Sequence, residues 1–400
     1  MRSALLSVLR PTLSISHQTP HPARSIADSI VRSGVRIGVQ VMPRSLLSRV
    51  VLFVALFATT FAWAADGKVL LEQKHFRQLA GVAQERLARN PHDAEALSWL
   101  SAVYDAYGDF EKAVDYGQRA VAAAPNNADI HTQLADTLGD KALKLGVFGG
   151  GIPLARQMRH ELDIAIQLDP RSVRALKESM GLYEESPAIV GGSKAKARES
   201  LQQIYAISPS EGALAEAALL QMQKRPLPEI EAYLRKAVQL NPHLYRAVVD
   251  LTSILASDGY HRWSEAEHFA RIGIAADPYR AGCYGYLATA LAHQQRWSEL
   301  DATLAESQRH VPDDLLPYYS AAVALLDSNT ELARAERYLR QYLAREPEAG
   351  APTKGSAHWK LGLVLEKQGR LSDAANELRA AAAQNGNDPA FKRDFKRIAG

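Results

Sequence analysis

The sequence predicts an all-α fold, an α-solenoid of stacked helical hairpins wound into a right-handed superhelix. Three observations predict it. Eight prolines (Pro91, Pro125, Pro170, Pro209, Pro242, Pro278, Pro312 and Pro347) recur at spacings of 34, 45, 39, 33, 36, 34 and 35 residues, and a period near 34 is that of a two-helix unit. Between the prolines, apolar residues fall three and four apart, the spacing of one helical face. Hydrophobic residues make up 47% of the chain but aromatics only 7%, which suits closely packed helices better than sheets. Such units bury their apolar faces against one another. One long array therefore replaces the two or three domains that 400 residues would otherwise allow.

From the N-terminus, residues 1–41 are rich in Arg and Ser, poor in acids and without a clear period. They read as an extension upstream of a chain that starts at Met42. An organellar transit peptide shares this composition. Residues 42–64 read as a signal peptide. Arg44 and Arg49 supply the positive start, Val50 to Phe61 is apolar, and Ala62-Trp63-Ala64 fits the small-x-small cleavage rule, with Ala65 as the first mature residue. The apolar run is shorter than the ~20 residues that span a bilayer comfortably. An exported protein, periplasmic or secreted, is the expectation, and a membrane anchor made by an uncleaved signal is the alternative.

The net charge of +3 is misleading, because residues 1–64 hold seven Arg, no Lys and one acid, Asp28. Removing these from the 47 basic and 44 acidic residues of the chain leaves 40 basic and 43 acidic residues in 65–400. A nucleic-acid partner loses its electrostatic support, since phosphate binding needs a concentrated positive surface. One cysteine, Cys283, excludes an intramolecular disulfide. It reads as a small buried thiol on a helix; a catalytic thiol would need a histidine in a recognisable motif, and none is near.

Residues 65–92 hold a partial unit, with Phe76 at the place that Phe110 takes in the next. Residues 93–389 hold the array. Its clearest unit is 94–127, AEALSWLSAVYDAYGDFEKAVDYGQRAVAAAPNN. Leu97, Leu100, Val103, Tyr104 and Tyr107 form one helical face. Gly108 makes the turn, Ala113, Gly117 and Ala120 let the second helix approach, and Pro125 cannot continue a helix. This unit resembles the tetratricopeptide repeat (TPR) over its full length, and the unit at 356–388 matches nearly as well through Leu361, Gly362, Leu365, Gly369, Leu371, Ala374 and Ala381. Looser units end at Pro242, Pro278, Pro312 and Pro347, and residues 390–400 read as a polar capping helix. The resemblance implies a protein- or peptide-binding scaffold with no enzyme activity and no cofactor.

Two units carry inserts where the first helix turns into the second, GVFGGGIP near 146–153 and SPAIVGGSK near 186–194. They explain the spacings of 45 and 39. They are similar to inserts of periplasmic TPR proteins such as the T-component associated with TRAP transporters. Those proteins are commonly lipid-anchored, whereas no cysteine stands at the cleavage site here.

Gly191, Gly192, Ser193 and Lys194 open a helix with free amides and a cation, an arrangement that favours an anion. The phosphate-loop spacing is missing, and a glycine turn entering a solvated basic helix accounts for the same residues. The concave groove is the stronger candidate. By the repeat's register, the groove places of the later units are Val249, Ser253, Thr289, Tyr319, Val323, Trp359 and Leu363, an apolar and aromatic row. The early units place Ser98, Ala102, Asp105, Thr132 and Asp136 there. Tyr319 and Trp359 are the expected anchors for a partner peptide, unless they pack between units. A small apolar ligand within the superhelix is the second reading. No metal-ligand spacing, nucleophile motif or dinucleotide glycine pattern occurs, which sets an enzyme third.

Overall fold

The computed structural model describes residues 67–188, 191–257 and 259–400. The upstream extension, the signal peptide with its cleavage site, and Ile189 and Val190 of the second insert lie outside the described residues. Nineteen helices and no strand occur among those described. A short first hairpin joins α1 (Gly67–Gln73) to α2 (Phe76–Arg89). Four hairpins follow: α3 (Ala94–Ala106) with α4 (Phe110–Ala123), α5 (Ala128–Leu145) with α6 (Gly151–Leu168), α7 (Val173–Glu185) with α8 (Lys194–Ile207), and α9 (Pro209–Met222) with α10 (Leu227–Leu240). Four more are α11 (Tyr245–Leu255) with α12 (Trp263–Ala276), α13 (Ala281–His293) with α14 (Trp297–His310), α15 (Leu316–Asp327) with α16 (Leu332–Leu343), and α17 (Lys354–Lys367) with α18 (Leu371–Asn385). A single helix, α19 (Pro389–Ile398), ends the stack. First helices of neighbouring hairpins touch, α3 on α5, α5 on α7 and α13 on α15. The chain is an all-α solenoid of stacked helical hairpins, in which successive first helices pack side by side.

Local chemistry explains the repetition. Helix starts are capped by short polar side chains, as where Asp93 accepts from the Ala96 amide at 3.1 Å and Ser172 from that of Ala175 at 3.3 Å. Six hairpin turns share one closure, in which a residue at positive φ follows the first helix and the next amide reaches back to the helix's last turn. Asp109 N–H donates to Tyr104 O at 2.9 Å across Gly108, and Arg370 N–H to Leu365 O at 2.9 Å across Gly369. Lys74, Lys224, Gln295 and Asn329 take the left-handed place in other turns, at φ of 65°, 55°, 57° and 53°. Ala113 and Ala120 are fully buried, and a Cβ on Gly117 would press into Leu134 and Ser101.

The irregular spacings have two different causes. The spacing of 45 comes mostly from longer helices. Helices α5 and α6 each run 18 residues, against 13 and 14 in α3 and α4, and only residues 146–150 form the connecting loop. The second insert lies between α7 and α8, outside both helices. Pro209 also departs from the other prolines. It opens α9, because Ser208 both ends α8 and caps α9.

The superhelix meets itself after one turn. The α1–α2 turn docks on the loops before α13, α15 and α17, more than 200 residues away in sequence. Gln73 Nε2 donates to Asp277 at 3.1 Å, and Gln78 Nε2 to Asp313 at 2.9 Å. His75 donates Nε2–H to the Tyr279 carbonyl at 2.8 Å and Nδ1–H to Asp313 at 3.0 Å. Glu348, buried at 4% exposure, accepts from the Arg77 amide at 3.1 Å and the Tyr107 hydroxyl at 2.7 Å. With both nitrogens donating, His75 is an imidazolium. Burial lowers its pKa, but the Asp313 partner outweighs that and the net shift is upward.

Candidate functional site

The inner wall is charged. On α5 and α7, Arg174 donates to Asp136 at 2.5 Å and to Gln133 at 2.6 Å. Asp136 Oδ1 and Arg174 Nε are buried and have no hydrogen-bond partner. Next to them stands Glu178. Burial, followed by the fields of Asp136 and Asp140, pushes its carboxyl well above the usual range, with Arg174 opposing. Burial also raises Asp136, against the pull of Arg174. Lys177 pairs with the buried Glu211 of α9. On α11, Arg246 holds Asp250 at 2.8 Å, leaving Asp250 Oδ1 buried without a partner.

Lys74 joins this wall from the opposite side. As the left-handed residue of the α1–α2 turn, it lies within the fields of Arg246, Arg280, Asp250 and Asp314. Desolvation and the two arginines pull its ammonium down to about 8. Burial lifts Asp314 to about 6. Lys74, Arg246, Arg280, Asp250 and Asp314 thus bring both signs of charge together beside the docked N-terminal hairpin.

In the apolar row expected in the later groove, the two aromatic residues make contacts within the protein. Trp359 lies under α19, edge-on to Phe391 at 5.5 Å between ring centres, with its indole N–H bonded to Asp394 at 3.0 Å. Tyr319 packs on Tyr342 at 5.2 Å and, with Leu363, against the core of the later hairpins. Thr289 bonds back to the Gly285 carbonyl at 3.0 Å. Val249, Ser253 and Val323 are half-buried. In the early units Ser98, Ala102 and Thr132 are buried, whereas Asp105 and Asp136 are only partly so. Sequence reasoning missed Arg174, Lys177, Glu178, Arg246 and Asp250. The signal was present as charged residues interleaved with the apolar stripe of α7 and α11.

At Gly191, Gly192, Ser193 and Lys194, expected as an anion cradle, the backbone is engaged internally. The three amides bond within the protein, Gly191 N–H to Ala188 O at 2.9 Å, Gly192 N–H to Pro187 O at 3.1 Å and Ser193 N–H to Tyr183 O at 2.8 Å. Lys194 is neutralised by the buried Glu184 at 2.7 Å. A Cβ on Gly192 would strike the Ser186 carbonyl, so the glycine serves a tight turn. Cys283 is buried, and desolvation pushes its thiol up to about 12, far from nucleophilic use. An open cleft of about 470 Å³ between α4, α5 and α6 is lined by Leu134, Leu138, Arg156 and His160, among others. Among the described residues no group of His, Cys, Asp or Glu is placed to hold a metal ion, and no helix is long and apolar enough to cross a membrane.

Comparison with known proteins gives likenesses of fold. No protein-family model matches the sequence, and no curated protein matches it. Among solved structures, the chain is similar to TTC0263, a thermophilic TPR protein of Thermus thermophilus, with 24% identity and a TM-score of 0.41 over 48% of this chain and 96% of that one. It is also similar to yeast Tom70, with 12% identity and a TM-score of 0.43 over 85% of this chain and 88% of that one.

Proposed function

We propose that this protein is an exported binding scaffold that captures a Lys- or Arg-bearing polypeptide segment on its charged inner face. The observation that carries the reading is the unbalanced cluster on α5 and α7. Asp136 and Glu178 both lie in the field of Arg174, which bonds only Asp136 of the two, and Asp136 Oδ1 is buried without a hydrogen-bond partner. A cation entering there would let Glu178 ionise and would satisfy Asp136, so the protein's own electrostatics favour a basic guest. The solenoid already holds one polypeptide turn in this manner, since residues 73–78 are gripped by side-chain carboxylates and loop carbonyls of distant hairpins. A small apolar ligand fits less well, because Lys74, Arg246, Asp250 and Asp314 gather charge on this face. Export rests on the signal-peptide pattern at 42–64.

Panning a randomised peptide library on the full chain tests the reading. Lys and Arg should be enriched, and the selected peptide should bind Glu178→Gln about tenfold more weakly, the loss expected for one charge-assisted contact. Enrichment of apolar or acidic peptides, or equal binding to the variant, would overturn it.

A further inference from the structure

We propose that the α5–α6 turn is a membrane-surface anchor that inserts its tip into bilayers containing anionic phospholipid. The inference is independent of the inner-face reading. Phe148 is fully exposed, and beside it Leu143 is 68%, Val147 57% and Leu145 43% exposed. Scattered apolar residues on a surface need no explanation, but four of them on six consecutive positions form a patch. The turn is built to hold them out. Gly146 and Gly150 sit at φ of 67° and 100°, the Gly151 amide closes the loop on the Gly146 carbonyl at 2.9 Å, and side chains on Gly149 or Gly151 would strike backbone carbonyls.

Charge decides the partner. Residues 141–160 contain Lys141, Lys144, Arg156 and Arg159 and no acid, although residues 65–400 as a whole carry more acids than bases. Lys141 is paired with Glu111. Lys144, Arg156 and Arg159 have no carboxylate at ion-pair distance among the described residues. An apolar tip with free cations behind it matches the layered chemistry of an anionic bilayer, in which hydrocarbon lies beneath phosphate. A second copy of the chain fits poorly, because self-association would bring two acid-free cationic segments together.

The test uses the full chain carrying Phe148→Cys labelled with an environment-sensitive fluorophore. Cys283 is buried and does not compete for the label. A Leu371→Cys chain, labelled at an exposed apolar site on another hairpin, is the control. With phosphatidylcholine vesicles containing a quarter phosphatidylglycerol, emission at position 148 should rise several-fold, position 371 should stay unchanged, and the rise should fade in high salt as the surface charge is screened. Pure phosphatidylcholine should give a much smaller response. The probe reads this loop alone, so a chain held on vesicles by its N-terminus still answers the question. No rise at 148, an equal rise at 371, or a rise that needs protein concentration and no vesicles would overturn the proposal, the last by showing contact between copies.

Discussion

The hairpin turns of α9–α18 and those of α5–α8 occupy corresponding edges of the solenoid and use them in opposite ways. In the later units the edge is an ion-pair ladder. Arg262 reaches Glu231 of the preceding hairpin at 2.8 Å, Arg296 reaches Glu267 at 2.5 Å, Arg334 reaches Asp301 at 2.6 Å and Arg370 reaches Glu336 at 2.9 Å. In the middle units the connections lengthen; that of α5–α6 carries no acid and exposes Val147 and Phe148, while that of α7–α8 keeps the Lys194–Glu184 pair. The comparison teaches that one repeat architecture can commit an edge to holding itself together or leave it open for contact. Stability and contact then separate by position, because a solenoid's stability is largely a sum of neighbour terms.

The largest effect should come from breaking a rung. Glu267 is 13% exposed and accepts from Arg271, Gln294 and Arg296 at 2.9, 3.0 and 2.5 Å. Glu267→Ala strands these donors and should cost about 1–3 kcal/mol in urea unfolding. Burial raises this carboxyl, but its three donors outweigh that and the net shift is downward. Its contribution is therefore present above the ordinary value of 4.5 and is lost as pH falls through the depressed one. Glu267→Gln should flatten the acid limb of the stability profile. An unchanged limb would mean that the ladder is ornamental, as many exposed ion pairs are.

Glu178, in the interrupted part, should behave in the opposite sense and more weakly. Its folded-state pKa is raised, so its ionisation at neutral pH works against folding. Glu178→Gln should stabilise the protein at pH 7 by about 1 kcal/mol, the low end of the cost of a poorly satisfied buried polar group. The advantage should vanish as pH falls below 4.5, the ordinary value for the side chain. A destabilised variant would remove Glu178 from the strained wall and place it among ordinary ion pairs.

The hairpin array was legible because proline and small-residue positions are set by packing inside each unit. Phe76 could be aligned with Phe110 before any helix was seen, and Leu70, Lys74 and His75 repeat the turn closure of Tyr104, Gly108 and Asp109. The ladder was partly legible too, since Arg-Trp-Ser-Glu occurs at both 262–265 and 296–299. The site was not legible, for two physical reasons. Helical period shows which residues leave the core stripe but not whether the next helix covers them, so Trp359 looked free while α19 lay over it. The self-docking of residues 73–78 joins positions separated by one superhelical turn, and no local pattern encodes a contact at that range.

The smallest effect distinguishes the two kinds of turn at the level of the backbone. Gly108 and Gly369 show that the shared closure accepts glycine without strain. Gln295 holds the same left-handed place at φ 57°, where an L side chain costs ~1–2 kcal/mol. Glycine also adds freedom to the unfolded chain, which takes back ~0.5–1 kcal/mol. Gln295→Gly should therefore stabilise the later units by about 0.5 kcal/mol, read as a small upward shift of the urea midpoint at constant slope. Gly150, at φ 100° in the open α5–α6 turn, already has the favourable residue. Gly150→Ala should lose about 1 kcal/mol and, by reshaping the loop behind Phe148, weaken vesicle binding as well. If the first change destabilises the protein, the Gln295 side chain has a role at the turn beyond occupying its φ. If the second spares vesicle binding, the Phe148 tip does not depend on the glycine frame that carries it.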